Sequence, residues 1–220
     1  MSVAIYTTIC GGYDILKPHI DIPDVDFICF SDQDLSVKGW RVVPLEPGGD
    51  PRLTAKYPKV IGHPELSRYD FTIWIDGSME ILSPAFVGKA LCNLGPDGFS
   101  LHLHSYRSCI YDEARESLKS RKYDGQPIQE QVDSYRSEGY PCHAGLWSCA
   151  SMARAKSKHL EKAMADWMQE IETWTLQDQI SLPYVLWKHG IHPSPWPHYP
   201  PRSKQSPNPW LEIHKHADGT

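Results

Sequence analysis

Apolar runs of about seven residues alternate with longer stretches in which polar positions return every third or fourth residue. Val3 to Ile9 is a continuous apolar and β-branched run and predicts a first buried strand, closed by the glycine turn Cys10-Gly11-Gly12. Residues 24–30 and 40–45 predict two more strands, the first of them ending in Ser31-Asp32. Phe71-Thr72-Ile73-Trp74-Ile75 predicts a short core strand that stops at Asp76-Gly77. Residues 99–104 alternate, so Phe99, Leu101 and Leu103 should share one face and His102 and His104 the other.

Helical spacing appears in five places. Residues 85–92 form an amphipathic segment with Ser83 as cap and Pro84 as first residue. Residues 111–119 and 128–136 predict two polar helices, broken at Asp124-Gly125-Gln126-Pro127. Over 153–174, Leu160, Met164, Trp167, Met168, Ile171 and Trp174 form one stripe, read as core. A last helix begins after Thr175 as cap, which puts Asp178 in its first turn. Beyond Ile191 the density of proline excludes regular elements and predicts a strap across the domain. Strands alternating with helices predict one α/β domain with a mixed central sheet flanked by helices.

Composition narrows the function classes. The 220 residues are 40% hydrophobic and carry a net charge of -5, with a pI near 6.1. These values give no overall electrostatic case for nucleic acid. No apolar run approaches the length of a membrane span, and the first residues lack the pattern of a signal peptide. None of the six cysteines forms a C-x-x-C pair, and their spacing does not point to a structural zinc site. They are expected to be reduced thiols of a cytoplasmic protein, which leaves room for peripheral membrane association.

Candidate chemistry gathers near the strand ends. An Asp delivered to the C-terminal end of a strand, followed by Gly, lies where open α/β sheets bind ligands, although Asp76-Gly77 also suits an ordinary turn. Arg52, Lys56 and Lys59 follow a helical i, i+4, i+7 spacing, with Pro58 making that helix short or broken. Such a cluster fits either a diphosphate or a solvated basic face. His102 and His104 fit either a metal-binding H-x-H pair or the outer face of a strand. Asp178 fits a catalytic acid or a residue favoured by the helix dipole.

The ordered set is more specific than its members. Ser31-Asp32, Arg52 with Lys56, Trp74-Ile75-Asp76-Gly77-Ser78, His102-Leu103-His104, Gly139-Tyr140-Pro141 with Gly145-Leu146, and Asp178-Gln179-Ile180-Ser181 occur in this order. The arrangement resembles a glycosyltransferase-like family catalogued as a domain of unknown function. Its plant members are tied to cell-wall and mucilage polysaccharides, and it has bacterial members. The resemblance covers roughly residues 3–192. It implies a compact GT-A-like fold, with a nucleotide-binding half over about 1–95, an acceptor half over about 96–192, and a Pro/His-rich tail over 193–220.

By residue, the resemblance implies that Asp76 stands at the first acid of a D-x-D-type metal motif, for Mn²⁺ or Mg²⁺, with Ser78 at its third position; His104, from the H-x-H pair, is a further candidate ligand. Thr8, Asp32, Arg52, Lys56 and Lys59 would contact a nucleotide-diphosphate sugar. His102, Gly145 and Gln179 would line the sugar or acceptor side, and Asp178 would act as general base or sugar contact. The expected activity is transfer of a sugar from a nucleotide-diphosphate sugar to a hydroxyl acceptor, a glycan or glycoconjugate, in the setting of polysaccharide biosynthesis. Ser78 departs from the acid usual at its position. Either Glu80 supplies the missing charge, or the three cations stabilise the leaving diphosphate themselves. A nucleotidyltransferase and a non-catalytic sugar-nucleotide or glycan-binding module are the alternatives.

Overall fold

The computed structural model describes residues 1–198, 200 and 208–217. Strands β1 (Val3–Ile9), β2 (Val25–Ser31) and β3 (Arg41–Pro44) come first, followed by helix α1 (Pro51–Val60). Next are β4 (Phe71–Ile75), β5 (Met79–Ile81), α2 (Ala85–Cys92) and β6 (Phe99–Leu103). Helices α3 (Ile110–Ser117) and α4 (Ile128–Ser137) precede the long strand β7 (Trp147–Ala155). Helices α5 (Lys158–Thr173) and α6 (Asp178–His189) lead to two short strands, β8 (Ser194–Pro195) and β9 (Leu211–Ile213).

Seven strands make one mixed sheet in the order β3-β2-β1-β4-β7-β6-β8, and β5 pairs with β9 in a small second sheet. The first four strands of the order are parallel, and β7 runs antiparallel to both β4 and β6. All seven residues of β1 are buried, as a strand covered on both faces requires. Its alternate side chains feed two cores. Ala4 and Tyr6 join Phe30, Trp74, Leu101 and Trp167 on one face. Val3 and Ile5 join Phe27, Ile73, Phe86 and Trp196 on the other.

The expected mixed α/β architecture is therefore present, with several local differences. The helix expected over 153–174 begins at Lys158, because residues 153–155 extend β7 between β4 and β6, and Ser157 caps the helix by accepting from the Leu160 amide. Its stripe is buried as expected, from Leu160 to Ile171. Pro58 does not break α1: it sits in the last turn, so a single interior hydrogen bond is forgone. Thr175 does not cap α6; Gln177 occupies that position, and the Thr175 hydroxyl donates to Gln131 instead.

Alternation fails in β6. A bulge between Leu101 and His102 shifts the register against β7. His102 is consequently buried at 0% exposure, while Leu103 is exposed. The proline-rich tail also departs from expectation, since β8 and β9 are regular. Pro195 is tolerated because β8 is an edge strand. Residues 199, 201–207 and 218–220 of the expected strap lie outside the described residues. No helix among the described residues is long and apolar enough to cross a membrane.

Candidate active site

Parallel strands β1, β2 and β4 deliver their C-terminal ends to one edge of the sheet, where ligands of open α/β sheets bind. After β1, Gly11 and Gly12 adopt φ of +61° and +69°, a region that favours glycine. The Gly11 amide donates to both carboxylate oxygens of Asp32, at 3.1 and 3.0 Å, tying the ends of β1 and β2 together. After β4, a Cβ on Gly77 would lie 2.5 Å from Ile9 Cδ1 and 3.1 Å from Asp14 Oδ2. The glycine thus lets the Asp76 loop close against Asp14.

Asp76 is anchored through one oxygen. Its Oδ1 accepts from Trp74 Nε1 at 2.9 Å and from Lys59 Nζ at 3.1 Å. Asp14 pairs with the His216 ring at 2.8 Å, and that ring lies 4.4 Å from Tyr13. Burial raises the Asp14 carboxyl, His216 opposes that shift, and the Asp76 charge adds to it. Asp14 and Asp76 are therefore close enough to feel each other's charge.

Helix α1 supplies the cations. Asp50 caps it by accepting from the Arg52 amide. Lys56 and Lys59, three residues apart, share one face. Both meet Asp178 Oδ2, at the start of α6, at 2.5 and 2.8 Å. Burial opposes the Asp178 charge, but Lys56 and Lys59 together hold its carboxyl well below the usual carboxylate range. Burial likewise works against the Lys59 charge, and Asp178 and Asp76 more than offset it, so Lys59 stays firmly protonated. Lys56 goes the other way: burial lowers it, and Asp178 offsets only part of that loss. The buried Cys149 thiol beside this group is pushed well up, by burial and then by Asp178.

The backbone of α1 is held from below. Arg154, buried on β7, donates Nη1 to the Val60 carbonyl at 2.7 Å and Nη2 to the Lys59 carbonyl. Its guanidinium thereby satisfies carbonyls at the C-terminus of α1 and complements the helix dipole.

The other residues singled out in the sequence fall in varied places. Thr8 and Ser78 are buried, with hydroxyls that have no protein hydrogen bond among the described residues. Arg52 Nη2 likewise has no hydrogen-bond partner among the described residues. It lies near Tyr123, whose hydroxyl is raised by burial and by Asp178 and Glu113, and lowered by Arg52 and Lys59. His104 is engaged by Glu113 at 3.6 Å and accepts from the amides of Tyr106 and Arg107. His102 bonds the His198 carbonyl at 2.6 Å, and burial lowers it to about 4. Gly145 has φ +104°, and its amide donates to the Ser108 carbonyl. Gln179 sits half-buried in the first turn of α6.

The structure brings Lys56, Lys59, Asp76 and Asp178 into one connected group, with Asp32 on the same sheet edge. Sequence reading missed Asp14, Tyr123, Arg154 and His216. Asp14 carried a signal, an acid two residues after a glycine pair at a strand end. The others carried none, because they arrive from distant segments. A cavity of about 320 Å³ lies at the opposite end of the sheet, beside Asp70, Arg154 and Ser157. It holds none of this charged group, so chemistry rather than volume places the candidate site.

Fold and charge distribution together describe an α/β protein with a largely buried charged group at the C-terminal edge of its parallel strands. The model of the TOD1/MUCI70, glycosyltransferase-like domain matches residues 28–196, and the chain belongs to that family. It is 27% identical to the "Probable hexosyltransferase MUCI70" of Arabidopsis thaliana over 157 residues, which is 66% of this chain and 27% of that protein. The chain thus spans about a quarter of the length of this curated relative. Among solved structures, the apo structure of the WbbM bifunctional glycosyltransferase matches with a TM-score of 0.51 at 12% identity, covering 84% of this chain and 37% of that one. That likeness concerns the fold.

Proposed function

We propose that this chain transfers a hexose from a nucleotide-diphosphate sugar to a hydroxyl acceptor of glycan or glycoconjugate type. The observation that carries the reading is the convergence of Lys56 and Lys59 with Asp76 and Asp178 at the ligand-binding edge of the sheet. The name of the hexosyltransferase relative supports the sugar class.

In this reading, the lysines exchange carboxylate oxygens for diphosphate oxygens when the donor enters. Fixed ammonium groups then stabilise the charge that develops as the bond from the anomeric carbon to the diphosphate breaks. Asp178 is a weak proton acceptor while both lysines hold it. Once they move to the diphosphate, its burial raises the carboxyl, and it becomes competent to take the acceptor's hydroxyl proton. Asp32 and Thr8 contact the nucleoside side, Arg52 adds a third cation, and Gly145 and Gln179 line the acceptor side, while His102, at 0% exposure and bonded to the His198 carbonyl, serves the core instead.

A divalent cation fits the residues around Asp76 as a hard-oxygen site. Asp76 keeps its second oxygen without a protein hydrogen bond among the described residues, and the Ser78 hydroxyl is buried and unpartnered. Asp14 adds a neighbouring carboxylate. We propose Asp76, with Asp14 and Ser78, as the residues that would hold Mn²⁺ or Mg²⁺, completed by diphosphate oxygens and water. Bound there, the ion would add charge neutralisation at the diphosphate.

Incubation of the purified chain with UDP- and GDP-hexoses and glycan acceptors tests the proposal. Acceptor-dependent release of nucleoside diphosphate supports it. Pyrophosphate release would indicate nucleotidyl transfer, and binding without turnover would indicate a module; either result rejects it.

A further inference from the structure

We propose that Cys109, Asp112 and His143 form a zinc site that staples the start of α3 to the loop entering β7. One ligand atom from each residue lies within 4.8 Å of the other two. Zinc binds thiolate at about 2.3 Å and imidazole or carboxylate at about 2.0–2.2 Å, so a small inward movement of these side chains closes the set. A sulfur, a nitrogen and an oxygen donor together suit zinc better than the hard cations Mg²⁺ or Ca²⁺, which take oxygen.

The three residues come from two segments that are already fastened together. Cys109 is the N-cap of α3, and its side chain makes no capping hydrogen bond. Asp112 lies three residues on, on the same side of the first turn. Its Oδ1 accepts from Arg115, and its other oxygen is available to a metal. His143 belongs to the loop that follows α4. Two hydrogen bonds hold that loop against α3 without any metal: Gly145 amide to the Ser108 carbonyl at 3.1 Å, and Tyr111 hydroxyl to the Tyr140 carbonyl at 2.7 Å. Much of the ordering entropy of a metal site is therefore already met by the fold.

His143 itself has φ +55°, a left-handed conformation that non-glycine residues rarely adopt. Its Nδ1 lies 3.4 Å from the Ser108 hydroxyl, which orients the ring as outer partners of metal-bound imidazoles do. Cys142, the preceding residue, is exposed and presents a thiol next to His143 on the same loop. It is the candidate for the fourth position. On binding, the Cys109 S–H bond breaks as the zinc–sulfur bond forms, and the proton leaves to solvent; no oxidant is involved. Affinity should then fall as pH drops below neutral.

The test uses the full chain after chelator treatment. Co²⁺ serves as a spectroscopic probe, and Zn²⁺ affinity is measured by competition with a chromophoric chelator. The expected result is one ion per chain, with a thiolate-to-cobalt band in the near ultraviolet and an increased melting temperature with Zn²⁺. Cys109→Ser should abolish the band, and His143→Ala should weaken Zn²⁺ binding by at least about ten-fold. His143 is exposed, so its variant remains informative if the buried Cys109→Ser protein does not fold. Glu80, Glu212 and His214 form a second group of ligand-type side chains, and His214→Ala should leave binding unchanged. Absence of stoichiometric binding, equal affinity in His143→Ala, or loss of binding in His214→Ala would each overturn the assignment.

Discussion

Lys59 on α1 meets Asp178 on α6 at 2.8 Å, with both side chains less than a tenth exposed. The pair links the helix that carries the cations to the first turn of a helix far along the chain. Lys59→Met should destabilise the protein by about 3 kcal/mol, the low end for breaking a buried pair, because Lys56 still faces Asp178. The double change Lys59→Met with Asp178→Asn should recover part of that loss. Urea unfolding of Lys59→Met, Asp178→Asn and the double variant checks both points, and additive losses would show that the two residues are not coupled.

Asp76→Asn keeps the size of the side chain and an oxygen for Trp74 and Lys59. Its melting temperature should stay within a few degrees of the parent, while release of nucleoside diphosphate should collapse. Activity lost also in EDTA and restored by Mn²⁺ would support a metal at Asp76. Activity retained in EDTA would assign charge stabilisation to the lysines alone. Normal turnover in Asp76→Asn would move the site elsewhere.

Stability should fall on the acid side in two stages. His102 titrates near 4 in the folded protein against an ordinary 6.5, so the unfolded chain takes up the proton first. Its contribution is complete above about pH 6.5 and is lost as pH falls towards 4, a change of about 3 kcal/mol. Asp178, with its carboxyl held low, contributes stability above the ordinary carboxylate range and loses it below about pH 3.9. His102→Asn keeps a donor for the His198 carbonyl but cannot titrate, so it should flatten the upper stage and leave the lower one. Urea midpoints between pH 7 and pH 3 would show whether the stages separate in this way.

Arg154 positions Lys59 through its backbone carbonyl. Arg154→Met should weaken UDP binding by about ten-fold, and Arg154→Lys should restore it in part, since one ammonium cannot serve both carbonyls as a guanidinium does. Calorimetry with UDP, read beside the thermal melt, separates positioning from stability. Lost stability with unchanged UDP affinity would make the clamp purely structural.

All six cysteines are free thiols, so the denatured, unreduced chain should carry six alkyl groups by mass spectrometry. In the chelator-treated native protein, exposed Cys92 and Cys142 should react first. Cys10 and Cys29 should resist, because burial pushes their thiols up to about 11 and 12. Rapid loss of all six would show that the core opens on the labelling timescale.

Much of the molecule was legible without coordinates. Apolar runs located β1, β2 and β4, because a strand buried on both faces must be apolar throughout. The Asp76-Gly77 junction marked the C-terminal end of β4, because chain direction alone fixes which end of a parallel strand carries the loop. The i, i+3 spacing of Lys56 and Lys59 gave their common face by helical geometry alone. The tertiary structure decided everything that depends on long-range partners. The bulge that buries His102 arises from pairing with β7 and leaves the alternating pattern of 99–104 unchanged. Arg154 reaches the Lys59 carbonyl on α1 from strand β7, His216 reaches Asp14 from the other end of the chain, and Asp178 receives two lysines from α1. Periodicity reports which face of an element is buried; which distant side chain meets that face depends on packing between elements, and no local spacing encodes it.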